Sequence, residues 1–97
     1  MEDEKTLKLI WWDFHKENPS VYELFKKFTF EAINAGHEHY GARGVIERIR
    51  WHTSVETKGD PFKINNNWTS FYARLFMVHY PEYDGFFRIR MLDEEKM

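Results

Sequence analysis

The chain has 97 residues and no cysteine, and its 14 Lys and Arg against 16 Asp and Glu give a formal net charge of −2. That length makes one domain, and the missing cysteines exclude a disulfide framework, a thiolate nucleophile and a cysteine-ligated zinc. The slight acidity argues against a general nucleic-acid binder.

Aromatic residues make up 19% of the chain. A short chain reaches enough buried area that way, since each ring removes roughly 150–250 Å² from water. The N-terminus, MEDEKTLK, is acidic and polar, and no later run approaches the roughly 18 apolar residues of a spanning helix. The expectation is a cytoplasmic protein with neither signal peptide nor membrane span. Charge is unevenly spread: residues 43–90 carry eight basic against five acidic side chains, and both ends are acidic.

In chain order, residues 3–17 predict a helix, with Leu7, Ile10, Trp11 and Phe14 on one stripe and Trp12 off it. Asn18-Pro19 ends that helix and starts the next, with Asn18 as cap and Pro19 in the first turn. The second helix has Val21, Leu24, Phe25, Phe28, Ala32 and Ala35 inward, with Ile33 beside them, and stops at Gly36. A third runs from about Ala42 to His52, with Val45, Ile46, Ile49 and Trp51 inward and Arg43, Glu47 and Arg50 outward. Gly59-Asp60-Pro61 signals a turn. Around it, either a long loop or a short ribbon pairs Ser54–Thr57 with Phe62–Ile64. Asn66 or Asn67 caps a fourth helix, Trp68–His79, which is apolar over a wide arc. Gly85 to Met91 partly alternates as a short strand does, and residues 91–97 read as a flexible tail. The fold expected is thus a single mainly α domain, residues 1–97, of about four helices with a short β-ribbon or strand. The third and fourth helices make a helix-turn-helix-like pair, although their connection is long for that motif.

The most polar stretch, Glu56 to Phe76, is the candidate site. One asparagine is enough to cap a helix, so Asn65-Asn66-Asn67 invite a second role. Asparagine contacts adenine edges, and a helix start holds phosphate. Lys58, Lys63 and Arg74 are close in sequence, and Arg48 and Arg50 precede them. The plainer explanation is capping within a solvated face. His37 and His39 are too few for a zinc site without a third ligand from His15, His52 or His79. No P-loop, GxSxG, HExxH or metal-nuclease carboxylate cluster occurs, so neither enzyme activity nor a metal or other cofactor is expected.

The runs Arg48-Ile49-Arg50-Trp51, Glu56-Thr57-Lys58-Gly59-Asp60, Phe62-Lys63-Ile64-Asn65-Asn66-Asn67, Tyr72-Ala73-Arg74-Leu75-Phe76 and Gly85-Phe86-Phe87-Arg88 resemble a group of small proteins encoded in bacterial phages and prophages. The resemblance covers most of the chain from Phe14 to Arg90. It implies a phage-associated cytoplasmic protein, either a DNA-acting accessory factor or an inhibitor of a host system, and it supplies no catalytic residues.

The function expected is therefore binding without catalysis, by a monomer or homodimer. In the leading reading, Arg48, Arg50, Lys58, Lys63, Asn65, Asn66 and Arg74 contact nucleic acid, as a regulator would. In the alternative, an aromatic–arginine surface covers a host protein, because Trp, Tyr and Arg are favoured interface anchors. Trp12, Trp51, Trp68, Tyr72, Tyr80 and Tyr83 cannot all be central in so small a core.

Overall fold

A computed structural model describes residues 3–56 and 64–88. Four α-helices account for most of them: α1 (Asp3–Glu17), α2 (Pro19–Asn34), α3 (Ala42–Trp51) and α4 (Thr69–His79). Among the described residues, none of these helices is long and apolar enough to cross a membrane.

Helix α1 ends where Asn18 bonds back to the Phe14 carbonyl through both its backbone N–H, at 2.8 Å, and its side-chain Nδ2, at 3.0 Å. The expected side-chain cap on α2 is therefore not made: the Asn18 amide closes the helix before it. Pro19 supplies the first turn of α2, where its missing N–H costs nothing. At the other end Gly36 takes φ +100°, a left-handed value open to glycine at little cost. The Gly36 N–H then reaches Ile33 O and the His37 N–H reaches Ala32 O, satisfying carbonyls the helix end would leave unpaired.

Helix α3 packs against α2 and α4, and α1 packs on α2. The core between them is aromatic. Tyr72, Phe25 and Phe76 are its largest fully buried side chains. Phe76 meets Phe30 at 5.3 Å, Tyr80 at 4.9 Å and Phe87 at 5.8 Å between ring centroids. Helix α1 joins through Trp11 against Phe71 at 5.3 Å and Phe14 against Trp68 at 4.7 Å.

Three residues expected inside face out. Trp51 is 57% exposed, because it lies two positions beyond Ile49 and so about 200° round the helix from the Val45–Ile46–Ile49 stripe. Ile10 is 49% exposed, because the buried stripe of α1 is turned toward Trp11 and His15, and His15 meets Tyr22 and Tyr72. Ala35, also expected inside, is exposed.

Neither expected β element appears as a strand among the described residues. Ser54 to Glu56 continue α3 as a π-helical turn, His52–Glu56. Thr53 Oγ1 donates to Ile49 O, and Ser54 Oγ donates to Arg50 O, so hydroxyls serve carbonyls where the helix widens. Thr57 to Lys63, the remainder of the expected ribbon, lie outside the described residues, as does the expected tail at 91–97. Of the strand expected from Gly85 to Met91, residues 89–91 lie outside the described residues, and the described part makes one isolated parallel bridge between Tyr40 and Phe87, closed by Tyr40 N–H donating to Phe86 O at 3.3 Å. It lays Phe86 and Phe87 onto the core, where both are buried. Residues 52–68 separate α3 from α4, so the two packed helices lack the three- or four-residue turn of a helix-turn-helix.

Candidate functional site

The polar stretch before α4 is organised by Arg50. Its guanidinium reaches Glu47 at 2.8 Å, Asn66 Oδ1 at 2.9 Å and, in a short bond, the Ile64 carbonyl. The fork geometry of arginine makes this possible, since one planar group donates in several fixed directions. The result is a clamp from α3 onto the chain entering α4, with the Ile64 side chain buried beneath it.

Beyond the clamp the chain enters α4 through a 3-10 turn, Asn66–Trp68. That extra turn moves the cap upstream of the Asn66 or Asn67 expected. Asn65 Oδ1 accepts from the Asn67 N–H at 2.8 Å, and the Asn65 carbonyl accepts from the Trp68 N–H at 2.9 Å. Asn66 serves Arg50 and, through its carbonyl, the Thr69 hydroxyl. Replacing Asn65 with alanine is expected to cost about 1 kcal/mol, read as a lower urea midpoint with unchanged slope, whereas Asn67→Ala is expected to leave the midpoint in place.

Of the seven residues expected to form one binding face, the structure brings together Arg50, Asn65 and Asn66, with Arg50 bonded to Asn66 and Asn65 to the Asn67 N–H. Arg48 lies elsewhere, with its guanidinium 4.3 Å from the Phe28 ring centroid in a cation–π contact. Arg74 lies on α4 and lines a groove toward α1. Lys58 and Lys63 fall outside the described residues.

That groove combines apolar and cationic side chains. It is open to solvent and holds about 380 Å³. Trp11, Phe71 and Leu75 line it together with Lys8 and Arg74, and Trp12 and Val78 reach into it from either helix. Trp12 is 42% exposed and Val78 is 74% exposed. The position of Trp12 off the α1 stripe was the signal for this site in the sequence. Lys8 and Val78 gave none, because which side of α4 meets α1 depends on the tertiary packing.

A second cluster lies at the junction of α1, α2 and α4. His15 stacks on Trp11 at 5.7 Å with only 11° between ring planes, and meets Tyr22 and Tyr72 edge-on. The Tyr22 hydroxyl lies 2.7 Å from His79 Nδ1. Burial, with smaller contributions from Tyr80 and Glu23, raises the Tyr22 phenol above its ordinary value. The phenol therefore stays protonated, and the imidazole tautomer sets which partner donates in that bond. Burial, and then the neighbouring His79, lower the pKa of His15. His37 and His39 are exposed in the turn after α2, and among the described residues no three His, Asp or Glu side chains converge as a metal site.

No protein-family model, curated protein or solved structure matches the chain.

Proposed function

We propose that the chain is a binding protein, not an enzyme, and that it engages a partner protein through the groove between α1 and α4. The carrying observation is the half-exposed Trp12 at the edge of that groove, facing exposed Val78 across a floor of Trp11, Phe71 and Leu75. Large apolar side chains left at the mouth of a concave site are the usual anchors of a protein interface. The phage setting implied by the sequence resemblance fits such a role, with a host protein as the partner.

The competing reading, nucleic acid on the Asn/Arg face, has less support. Arg50 is already bonded to Asn66 and the Ile64 carbonyl, and Asn65 to the Asn67 N–H, so using them on phosphate or bases requires dismantling the entry to α4.

A photo-crosslinking residue placed at Val78, with Arg43 on the outer side of α3 as control, distinguishes the two. The expected result in cell extract is one protein adduct from position 78, absent from position 43 and lost on Trp12→Ser. Equal adducts from both positions, or captured nucleic acid, reject the proposal.

A further inference from the structure

The cluster at the α1–α2–α4 junction shares Trp11 and Trp12 with the groove and sets a titratable ring among hydrogen-bonding groups. His15 Nδ1 is buried and has no hydrogen-bond partner. Its ring is enclosed by Trp11 and Trp12 from α1, Tyr22 from α2 and Tyr72 from α4. The charged groups nearby are already paired. Lys26 lies 5.0 Å from the Tyr22 ring centroid and bridges to Glu23 at 3.1 Å, and Lys16 bridges to Asp13 at 3.6 Å. From α4 the facing titratable groups are Tyr72 and His79, and among the described residues no carboxylate pairs with either imidazole.

We infer that the His15–Tyr22–His79 contact is a proton-operated latch, holding α1 on α2 and α4 while the His15 imidazole is neutral and releasing α1 when it is protonated. A neutral imidazole needs to donate only one hydrogen, so His15 fits with Nδ1 bare. An imidazolium carries N–H on both nitrogens, and the Nδ1 hydrogen would then be buried with no acceptor. A positive charge on His79 would repel that of His15 and add to the penalty.

The direction with pH follows from the lowered pKa of His15. With α1 released, His15 titrates near the ordinary 6.5, so the released form binds more protons between its folded and ordinary values. The latch is therefore fully closed above about pH 6.5. Below it, the released fraction rises by up to about tenfold per pH unit for one proton taken up. Because α1 carries Trp11 and Trp12, release would also open one wall of the groove; that consequence for binding rests on the function proposed above, whereas the latch does not.

The test is amide hydrogen exchange on the full chain between pH 7.5 and 5.5, corrected for the intrinsic pH dependence of exchange and run beside His15→Phe, which keeps a ring and removes the proton site. The expected result is exchange that accelerates in α1 below pH 6.5 while α3 stays protected, with no such change in His15→Phe. Uniform acceleration in all four helices overturns the inference, as does the same acceleration of α1 below pH 6.5 in His15→Phe. If His15→Phe does not fold, the imidazole of His15 is titrated by NMR in the unsubstituted chain. A midpoint below 6.5 that coincides with α1 release supports the latch, and one at or above 6.5 overturns it.

Discussion

Replacing Arg50 with alanine is expected to lower stability by about 1–3 kcal/mol, the cost of leaving partly buried acceptors without their donor. The guanidinium serves the Ile64 carbonyl and Asn66 Oδ1 at once, and water can reach only part of that site in its place. The contact with Glu47 contributes little of this, because Glu47 is mostly exposed and such pairs are screened. Urea denaturation of Arg50→Ala, Asn66→Ala and the double variant separates these contributions. If the clamp operates as described, the double variant loses less than the sum of the singles. Strict additivity, or an unchanged midpoint in Arg50→Ala, would show that Arg50 does not hold the entry to α4. Arg50→Lys keeps the charge but not the fork, and is expected to restore only a minor part of the loss. Any effect of Arg50 substitutions on binding must therefore be read beside the fraction of folded chain.

A larger loss is expected at Phe76, where alanine should cost about 3–5 kcal/mol. Phe76 is fully buried and its ring joins α4 to Phe30 on α2, to Tyr80 and Tyr83 just beyond α4, and to Phe87. Removing it opens a cavity bordered by four rings that cannot all move inward together. A domain of this size has a total stability of about 5–15 kcal/mol, so the variant would lose a large share of it. The melting temperature by circular dichroism should fall by more than about 12 °C. Phe76→Leu, which refills most of the volume, should fall by less than half as much. Equal losses for alanine and leucine would indicate that ring–ring geometry, and not filled volume, is what Phe76 supplies.

The helices were legible in the sequence because the signals that make them are local. The run from Asp3 to Glu17 is one periodic segment ended by Asn18-Pro19, and α2 stops at Gly36, where a left-handed residue is needed. Side-chain partners were less legible because they depend on where distant segments meet. Nothing near Arg50 in sequence announces that its acceptors are Ile64 and Asn66. The same applies to His15, which occupies the buried stripe of α1 only because α2 and α4 present Tyr22 and Tyr72 to it. The asparagine run was recognised as the start of α4, but the 3-10 turn that moves the cap to Asn65 is set by the clamp behind it. The basic face expected from composition was a sum over the chain, and folding placed Arg48, Arg50 and Arg74 in separate surroundings.

The bridge between Tyr40 and Phe87 has a consequence for the order of folding. Most packed pairs here are neighbours along the chain, and such short-range pairs close quickly. Phe87 instead returns across more than half the sequence to cover Phe25, and it covers Phe76 as well. On the ribosome, where synthesis runs from the N-terminus, Phe25 is made long before Phe87. Until Phe87 arrives, the faces of Phe25 and Phe76 that it will cover stay open to water and to other nascent chains. The bridge to Tyr40 is thus a late closing step in time.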